Sequence, residues 1–210
     1  LKKYNKVKNE NARDKFKKEE VAVIYAQGEI QSGEGSETVI GSERISKAIR
    51  KARKDEKVKA IVLRVNSPGG SALASDVIWR EMKLANEEKP VVVSMGDVAA
   101  SGGYYIACAS DKIYASPNTI TGSIGVAFAL PTFEKVIDFI GVNFDGVVTS
   151  RHGGWNLAQA IDDDLDKIFA SWGADAYRRF IHFVAESRSQ SYEDIEKIAN
   201  GRVWIGTNAK

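Results

Sequence analysis

Two short apolar runs, each leading to a glycine-rich turn, constrain the fold of this 210-residue chain more than any other feature. Residues 60–65 are followed by Pro68-Gly69-Gly70, and residues 91–95 lead through a loop to Ser101-Gly102-Gly103. Apolar residues with helical spacing separate the runs, and further strand-like segments precede and follow them. Strands and helices that alternate at short intervals predict an α/β fold of stacked right-handed βαβ units around a mostly parallel sheet.

The positive charge of the chain is concentrated at its start. Residues 1–20 carry eight basic and four acidic side chains, a net charge of +4, so the rest of the chain carries −2 within a total of +2. The main part of the chain therefore gives no electrostatic reason to expect nucleic-acid binding. Because residues 1–19 have no core-forming periodicity, they are interpreted as a linker or an exposed helix.

A single cysteine and the absence of long apolar runs limit the class of protein. Cys108 alone excludes an intramolecular disulfide framework, and its apolar helical surroundings favour a buried side chain over a reactive thiol. No run approaches the roughly 18 apolar residues of a membrane span, and the lysine-rich start has no signal-peptide pattern. Since the chain starts at Leu1 and stops at Lys210, we expect a piece of a longer protein.

The two glycine-rich turns form a candidate active site. Both follow strands, and ligands collect beyond the carboxyl ends of strands in open α/β sheets. Ser101 is predicted at the first turn of a helix, where unpaired N–H groups favour a developing anion. Gly70 and Gly102 are candidates to direct two N–H groups at a tetrahedral oxyanion, as acyl transfer requires. Two purely structural turns remain the alternative at this point, because the G-x-S-x-G and S-x-x-K signatures of serine hydrolases are missing.

Longer motifs surround these turns. They are Asn66-Ser67-Pro68-Gly69-Gly70, Ser94-Met95-Gly96-x-x-Ala99-Ala100-Ser101-Gly102-Gly103-Tyr104-Tyr105, Thr121-Gly122-Ser123-Ile124-Gly125 and the closing Asn200-Gly201-Arg202-Val203-Trp204-x-Gly206. In this order they resemble the signal peptide peptidase A (protease IV) family, over about residues 21–210. The resemblance implies a serine–lysine peptidase with a ClpP/crotonase-like spiral of βαβ units.

The resemblance also implies roles for individual residues. Ser101 matches the nucleophile, Gly70 and Gly102 match the oxyanion-hole residues, and Ser123 matches the serine that orients the catalytic lysine. The implied enzyme is a ring-like homo-oligomer at the outer, extracytoplasmic face of the bacterial inner membrane, where it degrades hydrophobic signal peptides left after secretion. No cofactor and no metal are expected.

The general-base lysine is missing from the segment where single-unit members of the family carry it. Residues 149–157 contain Arg151 and His152 but no lysine, and arginine does not lose its proton in proteins. This pattern resembles the C-terminal half of the long tandem-repeat form, whose lysine comes from the first half. We therefore expect residues 1–20 to connect the halves, residues 21–210 to form a truncated peptidase domain, and the isolated piece to be nearly inactive.

Three alternatives remain at the level of sequence. His152 with Asp162, Asp163 or Asp164 would form a Ser-His-Asp triad, although a histidine in a glycine-rich loop is more often a surface residue. The acidic run does not predict a metal site, because consecutive residues of a helix point in different directions. A crotonase-type acyl-CoA enzyme would share the fold without using Ser101 as a nucleophile. An inactive half that only shapes an oligomer is the third alternative.

Overall fold

The computed structural model describes residues 19–144 and 146–209. The predicted linker lies almost entirely outside the described residues, which begin at Glu19. In chain order the elements are β1 (Glu20–Gln27), β2 (Glu29–Gln31), β3 (Val39–Gly41), α1 (Ser42–Lys54), β4 (Val58–Ser67), α2 (Ala72–Asn86), β5 (Val91–Ala100), α3 (Gly102–Ala107), β6 (Lys112–Tyr114), β7 (Ile120–Gly122), α4 (Glu134–Ile140), α5 (Asp163–Arg188), α6 (Tyr192–Ile198) and β8 (Val203–Ile205).

The main sheet has the strand order β1-β4-β5-β7-β8, with β6 paired to β5 beside β7. Every pairing in it is parallel except that of β7 with β8. The predicted series of βαβ units with a mostly parallel sheet is therefore confirmed. Residues 28–41 are rich in glycine, serine and glutamate, which predicts a loop, but they contain the short parallel pair β2 and β3.

The core lies between the main sheet and helices α1, α2 and α3. In β4 the side chains of Ile61, Leu63 and Val65 are fully buried, whereas the residues between them are only partly covered. Helix α5 packs against α2 through aromatic contacts, in which Phe183 of α5 stacks on Trp79 of α2 with ring centroids 3.6 Å apart. The strict alternation in β4 results from a strand with one face toward the helices.

The chain between β7 and α5 differs most from the sequence-based expectation. The helical spacing of apolar residues from Leu157 onward predicts a helix that begins there, but α5 begins at Asp163 with Asp162 as its N-cap. Helix α4 was not predicted, and none of its residues is buried. We refer to residues 126–162 as the arm, and none of its described residues is buried. Periodicity alone fails here because the arm has no apolar stripe turned toward this chain's core.

Candidate active site

Strand β5 ends directly before Ser101, and α3 begins directly after it. Ser101 has φ 51° and ψ −121°, a conformation that costs a residue with a side chain about 1–3 kcal/mol. Two hydrogen bonds hold it there: its N–H donates to the carbonyl of Gly122 (2.9 Å), and its carbonyl accepts from the N–H of Tyr105 (2.9 Å). Within the described part of the chain, the Ser101 hydroxyl has no hydrogen-bond partner. The fold thus presents a strained serine with a free, partly exposed hydroxyl.

The turn after β4 meets the turn after β5 at this serine. A Cβ on Gly69 would lie 2.7 Å from the nitrogen of Gly102 and 2.9 Å from the Cβ of Ser101. A Cβ on Gly102 would lie 3.3 Å from the nitrogen of Gly70. Neither the Gly70 nor the Gly102 N–H donates to an acceptor in residues 19–144 or 146–209. The structure therefore brings together the predicted nucleophile and both predicted oxyanion donors, with the two amides unpaired.

Only glycine fits at position 70. Its φ is +144°, and a Cβ there would lie 2.2 Å from the carbonyl oxygen of Ile30. Strand β2 braces the turn on both sides of this residue, because the Ile30 N–H donates to the Gly69 carbonyl (2.8 Å) and the Ile30 carbonyl accepts from the Ser71 N–H (2.8 Å). These two bonds pair the carbonyl of Gly69 and the N–H of Ser71, and they leave the N–H of Gly70 unpaired.

Ser123 is connected to Ser101 through the residue before it, Gly122. It directly follows Gly122, whose carbonyl accepts the Ser101 N–H, and it has φ 49°. Its own N–H donates to the carbonyl of Arg202 (2.8 Å), and the Gly201 N–H donates to the carbonyl of Ile124 (2.9 Å). The closing motif at 200–206 therefore fixes the turn that carries Ser123, a contact that sequence reasoning missed although the motif itself was recognised.

Two cavities open on Ser101. The larger, of about 650 Å³, also borders Gly70 and Gly102, and its apolar wall consists of Leu73, Val126, Phe128, Trp172 and Phe180. The smaller, of about 380 Å³, is lined by Ser101, Gly125, Val126, Ala127, Tyr177, Asn200 and Gly201. Residues 125–127, which we call the strap, line both cavities, so both open spaces border Ser101 and the strap. No lysine lines either cavity in the part of the chain that the structure describes.

Polar groups close one side of the larger cavity. The hydroxyl of Tyr105 donates to a carboxylate oxygen of Asp76 (2.8 Å), and Arg179 lies 3.8 Å from the other oxygen. Burial raises the pKa of Tyr105, and the hydrogen bond to Asp76 raises it further. Tyr105 is therefore a protonated donor and not a base, and this contact joins α2, α3 and α5.

His152 lies apart from Ser101. Its Nε2 is 3.3 Å from a carboxylate oxygen of Asp162, but neither residue lines a cavity at the serine. Asp162 caps α5 by accepting the N–H of Leu165 (2.8 Å), and this bond, with the contact to His152, lowers the pKa of Asp162. Asp164 pairs with Arg151. The structure thus pairs the histidine with an acid, but neither residue lines a cavity at Ser101, so the triad stays a prediction.

The described residues offer neither a metal site nor a membrane-spanning helix. They contain no group of three or more side chains placed to hold a metal ion. None of their helices has the length and apolar character needed to cross a bilayer.

The fold and the site define a ClpP-like α/β chain with a serine beside two free amides. A ClpP1 mutant from Listeria monocytogenes has the same fold, with a TM-score of 0.56 at 20% identity over 86% of this chain and 80% of that chain. The Clp protease family model matches residues 12–121. The predicted ClpP-like fold is therefore confirmed.

The model of peptidase family S49 matches residues 83–210. "Protease 4" from Salmonella typhi is 47% identical over 90% of this chain and 31% of its own length. "Serine protease SPPA, chloroplastic" from Arabidopsis thaliana is 40% identical over 91% of this chain and 29% of its own length. The chain belongs to peptidase family S49, as the sequence motifs predict, and it spans about a third of the length of these curated relatives.

Proposed function

We propose that this chain supplies the nucleophile and the oxyanion hole of a serine peptidase whose general base is a lysine from outside this sequence. One observation carries the proposal: the free hydroxyl of Ser101 lies beside the unpaired amides of Gly70 and Gly102, in a site with no lysine among the described residues. The family and the names of the relatives support peptidase chemistry.

The proposed reaction is acyl transfer through Ser101. Its Oγ attacks the scissile carbonyl carbon while the hydroxyl proton passes to the neutral lysine amine, and the carbonyl oxygen becomes an oxyanion between two N–H donors. The protonated lysine then gives its proton to the leaving amine, and an acyl-enzyme forms. A water molecule, deprotonated by the same lysine, then attacks the ester carbon; the acyl–Oγ bond breaks, the lysine returns the proton to Ser101 Oγ, and the acid product leaves. The lysine needs a desolvated site that lowers its pKa toward neutrality.

The smaller cavity is the entry we propose for that lysine. It reaches Ser101 along the strap 125–127, next to the turn that carries Ser123. Among the described residues its lining holds no charged side chain, so none of them would supply a carboxylate to keep an amine there protonated. Ser123 is proposed to hold the lysine in place, as the family resemblance implies.

The larger cavity supports a preference for hydrophobic peptides. Its apolar wall, with Val126, Phe128 and Trp172, suits apolar side chains next to the scissile bond. We propose that the substrates are signal peptides left after secretion and that the enzyme acts at the outer face of the bacterial inner membrane. We further propose that the chain contacts the N-terminal half of the same protein and assembles into a ring-like homo-oligomer. The exposed apolar side chains of the arm support such a protein contact.

A fluorophosphonate probe, which reacts with activated serines, tests the central claim. The full-length protein should be labelled at Ser101, and Ser101→Ala should abolish labelling. Ser110→Ala is the matched control, because Ser110 lies just beyond α3 and donates only to backbone carbonyls. This chain alone, with its fold verified by circular dichroism, should be labelled at least tenfold more slowly. Equal labelling of this chain and the full-length protein would exclude a base from outside.

The contact between His152 and Asp162 makes the triad the second candidate. In the full-length protein, His152→Ala should retain peptidase activity within about threefold, because neither residue lines the cavities at Ser101. A loss of more than about 100-fold in a folded variant would favour the triad instead. A full-length protein that the probe does not label would favour the crotonase-type acyl-CoA alternative.

A further inference from the structure

Strand β5 contains a bulge three residues before the nucleophile. Val65 of β4 pairs with Met95 and Ser67 pairs with Ala99, so Asn66 alone lies opposite residues 96–98. Up to Ser94, β5 pairs with β6, and from Val98, the last residue of the bulge, it pairs with β7. Bulges redirect a strand and re-aim its side chains, and they are frequent next to active sites. The direction in which β5 delivers Ser101 is therefore set at this bulge.

The side chain of Asn66 spans the bulge. Its Oδ1 accepts the N–H of Val98 (3.1 Å), a donor that the interrupted β4–β5 ladder leaves without a partner on β4. Gly96 packs against the same amide, and a Cβ there would lie 2.9 Å from Asn66 Oδ1. On its other side Asn66 is tied to the residue directly after β1, because its carbonyl accepts the N–H of Gly28 (3.0 Å).

Asn66 stands between the two halves of the oxyanion site. Along its own chain it leads through Pro68 to the turn at Gly70, and through Val98 it holds the strand that leads to Gly102. Since the two turns touch, with a Cβ at position 102 only 3.3 Å from the Gly70 nitrogen, a small slide of β4 against β5 would misalign the two N–H groups. Hydrogen bonds to an oxyanion weaken steeply with such misalignment.

We propose that Asn66 is a positioning residue that fixes the spacing of the two oxyanion amides by holding the β5 bulge. This inference rests on the proposed peptidase function. Asn66 does not reach the substrate itself, since it lines neither cavity at Ser101. Its loss should therefore weaken transition-state stabilisation and leave substrate binding nearly unchanged.

The test uses the full-length protein and three variants of Asn66. Asn66→Leu removes the acceptor and keeps the size, Asn66→Ser is too short to reach Val98, and Asn66→Asp keeps an acceptor oxygen. Arg64→Gln is the matched control, because Arg64 also joins β4 to β5, by donating to the carbonyl of Met95 (2.7 Å) before the bulge. The measurements are kcat, KM, the melting temperature, and the affinity for a peptide boronate that forms a tetrahedral adduct.

Asn66→Leu and Asn66→Ser should lower kcat by about 10- to 100-fold with KM within threefold, somewhat less than the loss of a whole oxyanion donor. Boronate affinity should fall by the same factor, Asn66→Asp should recover most of both, and Arg64→Gln should keep kcat within threefold. The proposal is overturned if each folded Asn66 variant changes kcat no more than Arg64→Gln, or if Asp restores nothing. A protein in which Ser101→Ala leaves activity intact would overturn the proposed function as well, which separates the two failures.

Discussion

Strands β4 and β5 carry the turns at Ser101, and the arm lines the cavities beside it, but the two regions differ in burial and in hydrogen bonding. In β4 every second side chain from Ile61 to Ser67 is buried, and the side chains of Asn66 and Arg64 tie it to β5. The arm contributes Val126 and Phe128 to the larger cavity, yet none of its described residues is buried. The proposed nucleophile and oxyanion donors thus lie on a packed scaffold, whereas part of the wall of the larger cavity comes from a segment with little support from this chain.

Thiol reactivity should separate the two regions most clearly. Burial raises the pKa of Cys108 to about 12, so at pH 8 its thiolate fraction is about three orders of magnitude below that of a free cysteine with a pKa near 8.5. A cysteine introduced by Val147→Cys, at an arm position 99% exposed, should react with iodoacetamide at the free-thiol rate. Mass spectrometry of tryptic peptides over time measures both rates in one protein.

Unfolding supplies the control for this comparison. In 8 M urea both cysteines should react at similar rates, because the shift at Cys108 exists only in the folded state. Alkylation of Cys108 in the native protein within tenfold of the rate at position 147 would contradict a closed core around α3.

Truncation of a core side chain should give the next largest effect. Leu63 is fully buried in the middle of β4, and Leu63→Ala should lower the free energy of unfolding by about 2–5 kcal/mol. Urea unfolding followed by fluorescence measures it. A loss below about 1 kcal/mol would show that β4 is not at the centre of the core.

The same contrast explains how much of the molecule was predictable from its sequence. The runs at 60–65 and 91–95 were predictable as strands because a buried parallel strand needs a short, continuous apolar run. Helix α6 was predictable from its cap, where Ser191 Oγ accepts the Asp194 N–H (3.1 Å). Gly70, Ser101 and Gly102 followed from the turns at the strand ends, and their meeting follows from the parallel order of β4 and β5.

Several features that could not be predicted from the sequence depend on pairings between residues that are far apart in it. The bulge in β5 is defined by the pairing of β5 with β4, in which Asn66 lies opposite residues 96–98. Since the sequence does not show this pairing, nothing in its motif distinguished Asn66 from the neighbouring residues. Strand β8 escaped because it is only three residues long and exists by pairing with β7. Helix α4 escaped because none of its residues packs into the core of this chain.

Loss of the Tyr105 hydroxyl, which contacts Asp76 next to Arg179 of α5, should have a smaller effect on stability. Tyr105→Phe removes the donor to Asp76 and should cost about 1 kcal/mol of stability, since Asp76 remains partly hydrated and still lies near Arg179. Tyr114→Phe is the matched control, because Tyr114 is exposed and its hydroxyl has no partner among the described residues. Equal stability of the two variants would show that the contact contributes nothing.

The arm should give the smallest effect in this chain. Phe139 in α4 is 89% exposed, so Phe139→Ala removes almost no buried surface and should change the free energy of unfolding by less than about 0.5 kcal/mol. In the full-length protein the same substitution should lower the free energy of unfolding by a larger amount if the oligomer proposed above covers the arm. The phenyl side chain of Phe139 would then be buried against a partner. Parallel melts of the two proteins decide this: a loss above about 1 kcal/mol in this chain alone would mean that α4 already packs within it, and no difference between the proteins would leave Phe139 outside any interface.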